Sequence, residues 1–133
     1  MVRFAAALAV LLLGSASLAQ GSTEDGTVYI CNEVAFRIRT AAAGQSIEQR
    51  REAVRLRLVQ AYARGRITAA HITLRRVPGG WAISVGDQLL VTVTPADGQA
   101  NGTTAAALAR VWLGRLRDLL PRCRLEGPPD VRP

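Results

Sequence analysis

Apolar and polar residues alternate in five short stretches of this chain and recur at helical spacing in two longer ones. Val28 and Ile30 alternate with Tyr29 and Cys31, then Phe36 and Ile38 with Arg37 and Arg39. Ile72 and Leu74 alternate with His71, Thr73 and Arg75. Trp81, Ile83 and Val85 alternate with Ala82 and Ser84, and Leu89, Val91 and Val93 with Gln88, Leu90, Thr92 and Thr94. A period of two with one apolar face marks half-buried strands. Pro78-Gly79-Gly80 and Gly86-Asp87 separate the last three, and such short turns make them antiparallel neighbours. In the first pair, a two-residue turn at Asn32-Glu33 sets Val28 opposite Arg37 and mixes the two faces. A three-residue loop, Asn32-Glu33-Val34, sets Ile30 opposite Phe36 and Val28 opposite Ile38, and this register is preferred.

The helical stretches carry their own punctuation. After the connection Ala41–Gly44, Ser46-x-x-Gln49 is a capping box, and Glu48 suits the positive end of a helix dipole. The helix runs to about Arg64 and stops at Gly65, with Ile47, Val54, Leu58, Ala61 and Tyr62 on its apolar stripe. Arg50, Arg57 and Arg64 recur on a separate stripe, which reads as a solvated face. Pro95–Gly102 reads as a loop. Thr103 or Thr104 caps a final helix that ends before Pro121, with Leu108, Val111, Trp112, Leu116 and Leu119 as its buried stripe. The order strand, strand, helix, strand, strand, strand, helix predicts an α+β fold over residues 27–124. In its simplest form this is a two-layer sandwich, an antiparallel sheet of about five strands with both helices on one face.

The start of the chain has a different pattern. Met1-Val2-Arg3 is a short basic opening, Phe4–Leu13 is unbroken apolar sequence, and Ser17-Leu18-Ala19 places small residues before a cut ahead of Gln20. This is the layout of a secretory signal peptide over residues 1–19. It predicts a periplasmic or extracellular product. Residues 20–26 read as a flexible lead-in, and residues 125–133, with Pro128, Pro129 and Pro133, as a disordered tail. No later apolar run approaches the length of a membrane span.

Export changes the meaning of the charge and of the cysteines. The formal net charge is +7, and every one of the 17 basic residues is arginine. Such a balance suits anionic polymers or lipid headgroups as well as a merely basic surface. Nucleic acid is not expected as a partner, because an exported protein rarely meets it and the sparse aromatics offer no stacking platform. Cys31 and Cys123 are the two cysteines, and an oxidising compartment permits a disulfide between them. One histidine and two distant cysteines make no metal site, and no cofactor motif is present.

If the strand registers hold, the uncovered sheet face carries Arg37, Arg39, His71 and Arg75, with Thr73, Ser84 and Thr92. That face is a candidate surface for an envelope protein, for a second copy of the chain, or for an anionic polymer or membrane surface held through arginine. Enzyme chemistry is not indicated, and a small hydrolase is the least favoured of the readings. His71 stands in mid-strand, no elbow motif presents Ser46 or Ser84 as a nucleophile, and Asp87, Asp97 and Asp118 lie on different segments. Asn101-Gly102-Thr103 matches a glycosylation sequon, and a helix-capping threonine explains it locally.

Val28-x-Ile30 with Phe36-Arg37-Ile38, Ser46-x-Glu48-Gln49-Arg50, Val91-Thr92-Val93-Thr94-x-Ala96-Asp97 and Leu108-Ala109-x-x-Trp112 together resemble a small extracytoplasmic domain. It is the one that precedes the membrane region of cyanobacterial mechanosensitive-channel-like proteins, and similar stand-alone exported proteins share it. The resemblance spans about Val28 to Leu120 and implies an envelope-facing, non-catalytic domain. It transfers no functional residue, and channel activity does not carry over because the membrane span and pore helix have no counterpart here.

Overall fold

Ser46 ends an extended segment and starts a helix. Its hydroxyl accepts from the Gln49 amide at 3.1 Å, while the Gln49 side chain accepts from the Ser46 amide at 2.9 Å. Two otherwise unpartnered backbone donors are thereby satisfied at the first turn. The computed structural model describes residues 25–123, so the leader read over residues 1–19 and the tail read over 125–133 lie outside the described residues. Within them the chain forms β1 (Thr27–Ile30), β2 (Glu33–Arg37), α1 (Ile47–Ala63), a 3-10 turn (Ala69–His71), β3 (Ile72–Val77), β4 (Gly80–Val85), β5 (Gln88–Val93), α2 (Pro95–Ala100) and α3 (Ala105–Leu119). The class is α+β, with antiparallel strands throughout.

The strands make two sheets where one of about five strands was expected: a hairpin β1-β2 and a separate sheet β3-β4-β5. Side-chain packing joins the two. Phe36 of β2 stacks on Trp112 of α3 with ring centroids 4.3 Å apart. The opposite side of the core holds Ile72, Ile83, Val91 and Val93, all essentially buried. The α3 helix touches β2, β3, β4 and β5, and α1 touches β1 and β5. The apolar face of the hairpin is thus covered by helices, and lateral pairing with the other strands is not needed to bury it.

The hairpin register also differs from the expected one. Cys31 and Asn32 both adopt positive φ, 49° and 63°, which is the two-residue turn whose twist suits a hairpin. Ile30 therefore pairs with Glu33, and Val28 with Phe36. Ala35 is left over as a bulge, and it lets Ala35 and Phe36 both be buried. A second bulge, at Leu90, does the same in β5: Val91 pairs with Ile83 and Leu89 with Ser84. Leu90, expected on the polar face, has no exposed surface.

The remaining differences are local. Residues 95–100 are helical where a loop was expected. Val111, placed on the buried stripe of α3, is 67% exposed, and Leu113 and Leu120 are buried in addition to the expected leucines. Gly98 allows α2 to meet the start of α3, because a Cβ there would stand 2.6 Å from the Ala105 nitrogen. A disulfide joins Cys31, in the hairpin turn, to Cys123 beyond α3, with Cα atoms 5.9 Å apart. Among the described residues no helix is long and apolar enough to cross a membrane.

Candidate functional site

The four residues proposed for the uncovered face do not gather on one sheet. Arg37 ends β2, and its Nε donates to Thr27 Oγ1 at 3.0 Å. Arg39 lies just beyond, and its Nε donates to Asn101 Oδ1 at 3.1 Å. His71 closes the 3-10 turn, outside the strand in which it was expected, and Arg75 stands on β3. Cross-strand pairing puts Arg75 beside Ala82 and Thr92, and Thr73 beside Ser84, but the bulge at Leu90 sets Leu89, expected on the apolar face, beside Ser84 on the outer face. Arg37 and Arg39 do not share that sheet.

The arginines of α1 behave differently from a solvated stripe. Arg50 is 6% exposed and Asp97 has no exposed surface, and the two form a double hydrogen bond with both contacts at 2.8 Å. The Arg50 guanidinium also donates to the carbonyls of Thr40 at 2.7 Å and Thr92 at 3.1 Å. Asp97 receives the Thr94 amide at 2.8 Å and the Thr94 hydroxyl at 3.0 Å, which completes the capping box of α2. Burial pushes the Asp97 carboxyl up, but the hydrogen bonds from Arg50 and from the Thr94 amide outweigh it and hold the group below the ordinary aspartate value. One guanidinium therefore fastens the segment after β2, the strand β5 and the helix α2 to α1. With both carboxylate oxygens engaged, the arrangement is a structural clamp.

Sequence reasoning did not find this pair. The signals were the Thr94-Pro95-Ala96-Asp97 run, a capping pattern with proline at the first helical position, and Arg50 directly after the Ser46–Gln49 box. Among the described residues no group of three His, Cys, Asp or Glu could hold a metal ion.

Other arginines occupy backbone carbonyls at sheet edges. Arg57 Nη1 donates to Leu90 O at 3.2 Å, next to the Arg50 contact with Thr92 O on the same outer edge of β5. Arg117 donates twice to Ile72 O of β3, at 3.0 and 2.8 Å, and Arg115 Nε donates to Val34 O of β2 at 3.1 Å. Covering an edge with a helix or with charged side chains blocks unwanted strand pairing.

The concavity of greatest chemical interest lies between β1 and α1. It has a volume of about 370 Å³ and is lined on one side by residues 27–31, and on the other by Leu58, Val59 and Tyr62. Tyr29, at 59% exposed, and Val59, at 44%, stand at its margin. Arg51, Glu52 and Arg55 form a charged shoulder on the helix side, and Glu52 is held by Arg55 at 2.9 and 2.6 Å. Cys123, with the disulfide, closes one end. A second hollow continues from there past Tyr62 to Arg66, Ile67 and Leu120. Burial pushes the Tyr62 phenol up, and its hydroxyl donates to Leu120 O at 3.1 Å.

No curated protein and no solved structure shows significant similarity to the chain. A family model does match it, over residues 27–122, a stretch that begins at β1 and takes in the clamp, the groove and all three helices. The chain belongs to that family, described as Domain of unknown function (DUF8459).

Proposed function

We propose that this domain is a non-catalytic protein-interaction module working outside the cytosol, with the groove between β1 and α1 as its binding surface. The observation that carries the reading is the exposure of Tyr29 and Val59 on either side of an apolar hollow. Exposed apolar surface around a concavity is characteristic of binding sites. The Cys31–Cys123 bridge favours an oxidising compartment, as does the leader-like opening of the sequence. The resemblance to an envelope-facing domain points the same way. The buried acid Asp97 is committed to Arg50 and Thr94, and so supports a structural rather than a chemical role for that residue.

Site-specific photo-crosslinking in the native cell tests this. A photoreactive side chain at Val59 should trap a discrete protein, and the same group at Val111, exposed on α3, should not. Equal trapping at both positions, or none at Val59, would overturn the proposal.

A further inference from the structure

We infer that the Cys31–Cys123 bridge is a thiol-sensitive latch on the groove. A dithiol reductant attacks Cys31, and opening the bridge frees the turn end of the β1-β2 hairpin while the rest of the domain stays folded. Control of binding by the latch rests on the groove being the binding surface; the site of attack and the freeing of the hairpin do not.

The two half-cystines are not equivalent. Cys31 is exposed in the hairpin turn and lines the groove. Cys123 is 5% exposed and belongs to the hydrophobic core. Exchange begins when a thiolate reaches one of the two sulfurs, and access decides which. The first thiolate of the reductant therefore bonds to Cys31 Sγ. The bond to Cys123 Sγ breaks, and Cys123 departs as a thiolate that takes a proton from water. The second thiolate of the reductant then attacks the reductant sulfur held by Cys31, and Cys31 leaves in the same way. Two electrons pass from the dithiol to the bridge, and the reductant departs as a disulfide.

The fold decides what comes loose. The hairpin is a sheet of its own, and two strands are marginal without outside support. Its open end is fastened through the backbone, where the Ile38 amide donates to Gly26 O at 2.8 Å. Its β2 side is held by the Phe36–Trp112 stack and by Arg115 on Val34 O. Beside the turn, Glu33 reaches Arg115 and Arg122 through exposed ion pairs of 3.6 Å, which contribute little. Among the described residues no hydrogen bond joins Val28–Asn32 to α1 or α3. The buried side chains of Val28 and Ile30, together with the bridge, keep β1 in place. The three-stranded sheet has anchors of its own in the Arg50–Asp97 pair and in Arg117 on Ile72 O. Units with the fewest anchors open first. Opening the bridge therefore releases the turn end of β1, and with it one wall and the Cys123 end of the groove.

Glutathione is the first probe, added briefly to the intact disulfide-bonded protein before an acid quench and peptide mapping. The glutathionyl group should sit on Cys31 about tenfold more often than on Cys123. Equal labelling, or a preference for Cys123, would overturn the assignment. Backbone NMR relaxation then compares the oxidised protein with the dithiothreitol-reduced protein and with Cys31→Ser. Order parameters at Tyr29–Asn32 should fall from about 0.85 to below about 0.6 without the bridge, while those of Trp81–Val85 stay near the higher value. An unchanged turn would show that the bridge latches nothing. A fall along the whole chain would show that it holds the entire fold, and either result would end the proposal. The photoreactive group at Val59 should trap its protein in the parent chain and lose most of that trapping in Cys31→Ser. Equal trapping in both would overturn control by the latch and leave the groove as the binding surface. Trapping in neither would end the groove reading and with it control of binding, while the labelling and the order parameters still decide where the bridge is attacked and what it holds.

Discussion

Arg50 and Asp97, separated by 47 residues in sequence, meet in the interior through two parallel hydrogen bonds of 2.8 Å, one to each carboxylate oxygen. Every hydrogen-bonding side-chain atom buried with them has a partner among the described residues. Removing one member leaves the other charged, buried and unpaired, and such losses cost about 3–5 kcal/mol. Arg50→Met and Asp97→Asn should each lower the unfolding free energy by that order in urea titrations. The double variant should lose clearly less than the sum, because the two share one interaction.

Acid should act through the same pair. The folded Asp97 carboxyl lies below its ordinary value near 3.8, since the bonds from Arg50 and Thr94 overcome the opposing effect of burial. The unfolded chain therefore takes up this proton at a higher pH than the folded one. Its contribution is complete above about pH 5 and is lost as the pH falls through the folded value. Asp25 and Glu52 are also lowered, by hydrogen bonds from Thr27 and Arg55 respectively, but both are exposed and screened by salt. Thermal unfolding at high ionic strength should show a steep acid loss in the parent protein and a shallower one in Asp97→Asn.

Reduction should destabilise the domain strongly. Cys31 and Cys123 are 92 residues apart, and the chain-entropy model assigns a closed loop of that length about 4–5 kcal/mol. Dithiothreitol, or the double replacement of both cysteines by alanine, should lower the unfolding free energy from denaturant titration by a comparable amount and move the midpoint down accordingly. An unchanged midpoint would mean the bridge contributes nothing to the free energy difference.

Gly98→Ala probes the junction of the last two helices. The added methyl would lie 2.6 Å from the Ala105 nitrogen and 2.9 Å from the Thr103 carbonyl oxygen, both backbone atoms with little room to yield. Overpacking of this kind costs about 1–3 kcal/mol. Gly114→Ala, on the open side of α3 with nothing within 4 Å, is the control and should be neutral or stabilising.

Local chemistry was legible in the sequence wherever the determinant lies within a few residues. The Ser46–Gln49 box, the Thr104 cap of α3 and the turns at Gly79 and Gly86 all stand where the pattern puts them. The outer faces of β3 and β4 follow from the same alternation, but in β5 the bulge at Leu90 brings Leu89 beside Ser84, which a strict period of two does not show. The hairpin register was misread because the pattern argument assumed straight strands, and the bulge at Ala35 lets a two-residue turn bury Phe36 nonetheless. Arg50 was read as solvated because nothing near it in sequence reveals a carboxylate 47 residues away. The groove was hidden for a related reason: it needs the hairpin to stand apart from the other three strands, and alternation alone cannot count sheets.

The Cys31–Cys123 link also governs how the fold would bear tension. It turns everything from the hairpin turn to the end of α3 into a closed ring, so a pull applied through the two flanking segments bypasses 92 residues of chain. A force trace of the oxidised protein should lack roughly 300 Å of contour length that the reduced protein releases. Whatever is attached on either side, most of this domain would keep its shape under load.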